Sequence, residues 1–282
     1  MSPASGTRTG LIDFACRPFD ERVGGVETEA FDLTLERWFE QMAEHGPAHL
    51  VAQATSLAEL PLCLEAAERS EGRISAFAAF SPDSHEETAV VFEALGKGRL
   101  KGLLLLPGLS GFRLDHPALA TLFELAADLG TPIIVQCGLP PAALRDREGI
   151  RLDLQAANPL ELIPVADQHP RVPFVVPAFA SGFFREALML GELCENVFLG
   201  TAPGGAWRRT QPRPLRLVDL FERSLEVYGV ERLLFGTGSG PTPPGWRADL
   251  ATLQREALGA LELDTADMDR ILAGNARHLL SL

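Results

Sequence analysis

Short apolar runs alternate along the chain with longer segments in which apolar residues recur at helical spacing. Several of the runs are apolar throughout, as expected for strands that are covered on both faces. This alternation predicts repeated βα units around a parallel sheet. The eight strand candidates are residues 11–16, 48–52, 74–80, 102–106, 132–137, 173–178, 196–201 and 232–237.

The segments between these runs carry apolar residues near positions i, i+3, i+4 and i+7, which is the pattern of amphipathic helices. Examples are residues 35–44, 57–68, 86–95, 117–129, 160–167, 217–227 and 248–261. Glycine stands at 46, 72, 98, 130 and 229, where helices should end, and it suits the left-handed conformation of a helix C-cap. The pattern predicts an α/β fold, a single (β/α)8 TIM-type barrel over residues 1–282.

Composition narrows the class of protein. The chain has 282 residues, and barrels of this kind commonly run to about 250 residues as one domain. Its 25 Lys and Arg against 38 Asp and Glu leave a net charge of −13, a surface that repels nucleic acid and anionic lipid. No apolar run approaches the roughly 20 residues of a membrane helix. We therefore expect neither nucleic acid nor membrane as a partner.

The cysteines argue against a redox or zinc motif, because they lie far apart in the sequence and form no CxxC pair. They are Cys16, Cys63, Cys137 and Cys194. Four unpaired thiols fit a reducing compartment, and we expect a cytoplasmic protein.

Several short sequences at the strand ends, in this order and at this spacing, carry a family resemblance. They are Ile12-Asp13, Gly111-Phe112-Arg113, residues 232–236, and Gly274-Asn275-Ala276-Arg277 followed by Leu279-Leu280. The chain resembles the amidohydrolase-related family that includes aminocarboxymuconate-semialdehyde decarboxylase and its hydrolase relatives, over nearly its whole length. The resemblance implies a catalytic metal at the C-terminal mouth of the barrel, held by histidines on strands one, five and six and an aspartate on strand eight.

This sequence departs from the family pattern at every one of those ligand positions. The first-strand histidines fall on Ala15 and Arg17, the fifth-strand histidine on Gln136, the sixth-strand histidine on Pro177 and the eighth-strand aspartate on Gly238. A catalytic zinc needs about three nitrogen or carboxylate ligands and an open water position. We therefore expect no catalytic metal and no other cofactor.

The histidines elsewhere in the chain do not restore the site. Five fall near helix ends or in the last helix, and one lies at the start of the second strand, the wrong end of the barrel; only His116 could lean over the mouth. They are His45, His49, His85, His116, His169 and His278. The simplest interpretation is that they are surface or capping residues.

Arg17 is the most informative of the changed positions, because a guanidinium in the mouth must be paired. Two interpretations stay open. Arg17 is a structural plug, paired with Gln136, backbone carbonyls, Asp13 or Asp20; or it binds a small anionic ligand where the family holds its metal. Under the second interpretation the candidate ligand-binding residues are Arg17, Gln136, Arg113, Asp115, Thr237 and Ser239.

Other candidate sites are weaker. The glycine-rich residues 236–240 lie where barrels often bind phosphate, but prolines follow at once and leave no helix N-terminus there. Side chains alternate in direction along a strand, so those of Cys16 and Cys137 should point away from the mouth. Neither cysteine has a histidine to act as its base. Residues 203–214 and 236–245 should form loops on the rim of the barrel. In and beside the first loop, Trp207 stands next to the arginines between Arg208 and Arg216, and tryptophan with arginine is a composition favoured at protein interfaces.

Three functions follow from these observations. The first is a pseudoenzyme, a metal-free barrel that acts as a binding or scaffolding partner and forms homo-oligomers, commonly dimers in this family, or hetero-oligomers with a relative. The second is a metal-independent enzyme or binder of small anions at the mouth. The third is a metal-dependent hydrolase or decarboxylase whose ligands lie elsewhere.

Overall fold

The computed structural model describes residues 10–19, 28–147, 149–204, 211, 213, 215–241 and 244–282. Among these residues no helix combines the length and apolar character needed to cross a membrane. Asp20, Trp207 and most of the arginine-rich loop singled out above lie outside the described residues.

Eight parallel strands form one sheet whose spatial order is the order of the chain. They are β1 (Leu11–Cys16), β2 (Pro47–Ala54), β3 (Ile74–Phe80), β4 (Gly102–Leu105), β5 (Ile133–Val135), β6 (Phe174–Val176), β7 (Val197–Gly200) and β8 (Leu233–Leu234). Every predicted strand is present, and the predicted (β/α)8 barrel is confirmed. The later strands are shorter than predicted, because their last residues leave the ladder to begin the rim loops.

The sheet curls until its first and last strands meet. The Phe14 amide donates to the Phe235 carbonyl at 2.9 Å, and the Arg17 amide donates to the Ser239 carbonyl at 2.8 Å. Cys16 also forms an isolated parallel bridge with Ser239. The ring therefore closes through the residues that follow β8.

Helices connect the strands and form the outer layer. They are α1 (Thr28–His45), α2 (Leu60–Arg69), α3 (His85–Gly96), α4 (Pro107–Ser110), α5 (Ala118–Leu129), α6 (Ala142–Arg145), α7 (Ile163–Gln168), α8 (Phe184–Leu193), α9 (Leu217–Tyr228), α10 (Ala248–Gly259), α11 (Thr265–Asp269) and α12 (Asn275–Leu280). A short ladder of β9 (Gly240–Pro241) and β10 (Pro244–Gly245) lies in the rim segment after β8.

The long amphipathic segments form helices as predicted, but α8 is not among the predicted helices. Gly191 lowers the helix propensity of that segment, yet it is needed there, since a Cβ at 191 would come within 2.3 Å of the Tyr228 ring. Tertiary packing against α9 therefore decides this helix. The five predicted C-terminal glycines all adopt positive φ, from +63° to +88°.

The barrel interior is a packed cluster of inward-facing side chains. The Phe14 and Phe77 rings meet edge to face, with centroids 5.5 Å apart, inside a cluster that includes Val51, Leu104 and Ile134. Glycine is needed at the start of β4, because a Cβ at position 102 would lie 2.1 Å from the Phe77 ring. A separate, larger cluster fills the space between strands and helices.

Candidate functional site

The C-terminal ends of the strands place the changed ligand positions at one mouth. Ala15 and Pro177 line the same small cavity there, and a Cβ on Gly238 would lie 3.7 Å from Ala202, which lines that cavity too. Arg17 and Gln136 follow β1 and β5 at the same end. The order of the strands thus brings these positions to one end of the barrel.

A β-bulge in β1 sets the directions of the side chains on that strand. The pairing of β1 with β2 shifts register between Asp13 and Cys16. Ile12 and Phe14 belong to the interior cluster, and Ala15 also faces the mouth cavity. Bulges redirect side chains in this way at the rims of barrels.

Asp13 is fully buried and accepts hydrogen bonds where the barrel closes, between β1 and the segment after β8. Its Oδ1 accepts from the Ala15 and Thr237 amides, both at 3.0 Å. Its Oδ2 accepts from the Thr237 hydroxyl at 2.5 Å and from the Trp246 indole at 2.8 Å. Burial raises the pKa of this carboxyl, and the four donors oppose that rise. Asp13 therefore joins β1 to the segment after β8.

Thr237 and Ser239, two of the candidate ligand-binding residues, take part in the same network. Both are buried, and their hydroxyls bond to each other. The Ser239 hydroxyl also accepts from the Arg247 amide at 2.9 Å. These contacts hold the rim segment in place and leave the two hydroxyls engaged within the protein.

Arg17 pairs with a carboxylate that is not among its predicted partners. Its guanidinium lies 3.4 Å from Glu59, whose side chain is fully buried, and Arg147 donates to the same Glu59 oxygen at 2.7 Å. The other Glu59 oxygen accepts from the Thr55 amide at 2.6 Å and the Thr55 hydroxyl at 2.8 Å. The rim thus holds a buried carboxylate with two guanidinium partners, which we call the Glu59 cluster (Arg17, Thr55, Glu59 and Arg147).

Besides Arg17, which the sequence singled out, Glu59 could have been found from the sequence. Glu59 stands between β2 and α2, at the functional end of a strand, where a carboxylate is a natural partner for a rim arginine. Arg147 carries no such signal, because it reaches the cluster from the loop after β5, 88 residues further along the chain.

Gln136 and Gly238 are the fifth-strand and eighth-strand members of the five changed positions. The Gln136 amide group donates to the neighbouring Cys137 carbonyl at 2.9 Å. Gly238 has φ of +69°, a conformation that a carboxylate residue adopts only with strain. The backbone at this position therefore disfavours the aspartate that the family carries there.

Arg113 and Asp115 line a different space, a groove of about 260 Å³ between α5 and α7 on the outer layer. Arg113 pairs with Glu161, and His116 accepts from the Ala118 amide at the start of α5 at 3.2 Å. The loop after β4 turns outward through Gly111, which has φ of +75°. The structure thus separates these two candidates from the mouth, and His116 lines the same groove.

The mouth itself is nearly filled. The cavity lined by Ala15, Pro177 and their neighbours has a volume of about 10 Å³. That is close to the minimum of about 10–15 Å³ needed to hold one water molecule. The buried side chains of Leu106, Leu109 and Leu144, from the segments after β4 and β5, belong to the interior cluster as well. Among the described residues, this cavity is too small to hold a substrate.

A strained turn follows β6. Ala178, Phe179, Ala180 and Ser181 have φ between +44° and +58°, a left-handed conformation that L-residues seldom adopt in succession. Phe179 is buried and packs edge to face against Phe221, with centroids 5.5 Å apart. Packing therefore holds the turn, which strain of this kind requires.

The thiols beside the mouth are poor nucleophiles. Cys16 and Cys137 are buried, and burial raises the pKa of Cys137 to about 12. Burial and the nearby Asp13 also raise the pKa of Cys16. A thiol needs a lowered pKa to act at neutral pH.

The donor set at the mouth does not fit a catalytic metal. Of the five changed positions, Ala15, Pro177 and Gly238 offer no coordinating side chain, and Arg17 is a cation. In the part of the chain that the structure describes, no group of three or more His, Cys, Asp or Glu side chains is placed to hold a metal ion. The described residues at this mouth therefore do not supply the ligands that the family's metal needs.

Comparison with solved structures places the fold among known barrels. An uncharacterised TIM-barrel protein from Bordetella bronchiseptica is 21% identical, with a TM-score of 0.69 over 96% of this chain and 98% of that chain. A probable 2-pyrone-4,6-dicarboxylic acid hydrolase from Acinetobacter baumannii, with citric acid bound, is 15% identical, with a TM-score of 0.65 over 97% and 100%. 5-Carboxyvanillate decarboxylase from Sphingomonas paucimobilis is 14% identical, with a TM-score of 0.65 over 97% and 99%. Identities this low show the fold alone.

Sequence comparison settles the family. No curated protein matches the chain. A family model described as Amidohydrolase matches residues 25–282, nearly the whole sequence, and confirms the resemblance drawn from the strand-end motifs. The chain belongs to the amidohydrolase family.

Proposed function

We propose that this protein is an amidohydrolase-family barrel without a catalytic metal, a pseudoenzyme that acts as a binding or scaffolding partner. The observation that carries the proposal is the mouth, where Ala15, Pro177 and their neighbours leave a cavity of about 10 Å³. A hydrolase or decarboxylase of this family needs both metal ligands and room for a substrate at that place. The Glu59 cluster supports the same proposal, since it gives Arg17 a structural partner.

Elemental analysis of protein purified from metal-supplemented medium tests the metal-free part. We expect far less than one equivalent of zinc, iron or manganese per chain. The control is Gln136→Ala, which removes the one neutral side chain among the five positions that could coordinate. Near-stoichiometric metal in the wild type that is lost in Gln136→Ala would overturn the proposal.

A metal-independent binder of small anions is the competing function, and Arg17 decides between the two. If Arg17 is structural, Arg17→Ala lowers the melting temperature, and acetate, citrate or phosphate shifts both proteins equally. If Arg17 is a binding residue, anions raise the melting temperature of the wild type and not that of Arg17→Ala. The pairing with buried Glu59 leads us to expect the first result.

We also propose that the protein self-associates or pairs with a relative. Met189 and Leu193 lie one turn apart on α8 and are 46% and 65% exposed, an apolar pair of the kind found at contacts between proteins. Sedimentation velocity of the chain alone, and mixed with a related barrel, should show a species larger than the monomer. A strict monomer in both samples would remove the proposal.

A further inference from the structure

The groove between α5 and α7 lies on the outer layer, away from the mouth. Its volume is about 260 Å³, against about 10 Å³ for the cavity at the mouth. Ligand pockets in proteins commonly measure about 300–1,000 Å³. The groove is therefore large enough for a small ligand with a single ring, and the mouth cavity is not.

The short helix after β5 leaves this space open. At a rise of 1.5 Å per residue, the twelve residues of α5 extend over about 18 Å and the six residues of α7 over about 9 Å. Only one 3₁₀ turn, Pro159–Leu162, precedes α7. The helix α7 therefore cannot cover the whole face of α5.

Two helical faces form the walls of the groove. The α5 wall consists of Pro117, Ala120 and Phe123, which are three residues apart and so lie on one face of that helix. The opposite wall carries four residues at positions i, i+3, i+4 and i+7, again one face of a helix. They are Glu161, Pro164, Val165 and Gln168. Since the side chain of Ala120 is only a methyl group, the middle of the groove stays open.

The floor of the groove is apolar and partly aromatic. The buried lining residues Leu114, Phe123 and Val165 form it, and each is between 2% and 5% exposed. The His169 ring lies against the Phe123 ring, with centroids 4.9 Å apart. A ligand with a flat apolar body would gain hydrophobic contact and ring contact on this floor.

The rim of the groove is acidic. Arg113 pairs with Glu161 and lies 3.9 Å from Asp115, so one guanidinium serves two carboxylates. Asp83 adds a further carboxylate beside the rim, 3.5 Å from His116. With histidine neutral, the described residues of the lining thus hold two negative charges against one positive charge. The net charge of −13 on the whole chain acts in the same direction.

The Arg113 side chain shows which chemistry this rim accepts. Its guanidinium is a planar cation, and Glu161 accepts a hydrogen bond from it. Arg113 is 53% exposed, and ion pairs in contact with water are weak and exchange partners at little cost. A planar cation from solution can therefore bind to the same carboxylates.

We propose that this groove binds a small organic cation, an amine or amidinium carried on a flat apolar body. The body covers Phe123 and Val165, and the charge lies between Asp115 and Glu161. Anions of the same size are disfavoured, because the two carboxylates repel them. The groove is separate from the positions of the family's metal ligands, so this inference and the metal-free proposal can each fail without the other.

Benzamidinium is the probe, because it combines one ring with a planar cation. Titration followed by proton NMR of the imidazoles should shift the signals of His116 and His169 in a saturable manner, and His116→Gln and His169→Gln assign those signals. Benzoate, of similar size and opposite charge, is the matched control and should shift neither signal. Equal shifts with the two compounds, or no saturable shift with benzamidinium, would overturn the proposal.

Ala120→Trp tests the place of binding, because Ala120 is exposed and an indole at that position would fill the groove. We expect the dissociation constant of benzamidinium to rise about tenfold. The control is Thr121→Trp, which puts the same side chain at the neighbouring exposed position of α5, outside the lining, and should bind as the wild type does. Equal affinity in the two variants would mean that benzamidinium does not bind in this groove.

Asp115→Asn tests the charge and covers the case in which the new tryptophan disturbs α5. Asp115 is 79% exposed, so the fold should not depend on its charge. We expect the affinity for benzamidinium to fall about threefold, in keeping with the modest contribution of an exposed ion pair. The control is Asp128→Asn, an exposed carboxylate near the other end of α5 that pairs with Arg171. An affinity in Asp115→Asn equal to that in Asp128→Asn would contradict the assignment of a cation to this rim.

Discussion

At the scale of single residues, Glu59 organises the rim. It accepts hydrogen bonds from Thr55 and contacts Arg17 and Arg147, so one buried carboxylate holds the ends of β1 and β2 and the loop after β5. Removing one partner of a buried ion pair leaves the other partners with uncompensated charge. The stability of the rim therefore depends on this side chain.

We predict that Glu59→Ala lowers the free energy of unfolding by about 3 kcal/mol, because two guanidiniums and the Thr55 donors lose a buried acceptor. Urea denaturation measures the change. The matched control is Glu161→Ala, which breaks the Arg113 ion pair on the surface and should cost under about 1 kcal/mol. Equal losses in the two variants would show that the Glu59 cluster does not stabilise the rim.

His49 is a buried residue at the opposite end of the barrel, as its position at the start of the second strand predicted. One ring nitrogen contacts the Gly72 carbonyl at 3.0 Å, and the other contacts the Ser75 hydroxyl at 2.9 Å. Burial lowers the pKa of His49 from 6.5 to about 4. The ring is therefore neutral in the native protein and is charged in the unfolded chain below pH 6.5.

The sign of the resulting pH dependence follows from this lowered pKa. Between about pH 6.5 and pH 4 the unfolded chain binds a proton at His49 that the native protein does not, so stability falls as the pH falls. We predict a loss of about 2 kcal/mol from this group between pH 7 and pH 5. Urea denaturation at pH 7 and pH 5 should show this loss of stability in the wild type and not in His49→Gln. The control is His278→Gln, at an exposed position, which should behave as the wild type. The same loss in His49→Gln as in the wild type would contradict the prediction.

At the scale of elements, the left-handed turn after β6 shows what packing can impose on a backbone. Four successive residues, none of them glycine, hold positive φ, although each carries a Cβ that disfavours it. Phe179 is buried within the helix layer, and Ser181 accepts the Leu139 amide. The element is strained in itself and is maintained by its neighbours.

We predict that Ala178→Gly raises the free energy of unfolding by about 0.5–1 kcal/mol, because glycine adopts this φ without strain and the Ala178 side chain is only half-buried. Thermal and urea denaturation measure the gain. The control is Ala43→Gly, at an exposed position within α1, where the same change should cost about 1 kcal/mol. A loss in both variants would mean that the turn is not strained.

At the scale of the whole molecule, the barrel is closed by contacts between the two ends of the chain. Asp13 and Thr237 are 224 residues apart, and the bonds between them join the first strand to the segment after the last. Trp246 adds an indole donor to the same carboxylate. The ring thus depends on a buried acceptor as well as on backbone pairing.

We predict that Asp13→Ala lowers the free energy of unfolding by about 3–5 kcal/mol, since it leaves several buried donors without an acceptor. The control is Asp153→Ala, an exposed carboxylate that accepts two amides of its own turn, where a loss of about 1 kcal/mol is expected. Chemical denaturation measures both. A loss at Asp13 no greater than at Asp153 would show that the closure of the barrel does not need this carboxylate.

The sequence by itself determined the barrel and its family. Short apolar runs and period-3.6 patterns depend on local geometry, so the strands, the long helices and the C-terminal glycines could be predicted from neighbouring residues. The same sequence showed that Ala15, Pro177 and Gly238 stand where ligands are expected, because the strand-end motifs set the frame.

Tertiary structure alone decided how the mouth is built. The pairing of Arg17 with Glu59, the arrival of Arg147 from a distant loop and the seating of Leu144 on the interior cluster all join residues that are far apart in the chain. The outward turn that carries Arg113 and Asp115 to the groove between α5 and α7 belongs here too. Local patterns encode which face a residue takes, whereas partners across a barrel depend on where every strand and loop comes to lie.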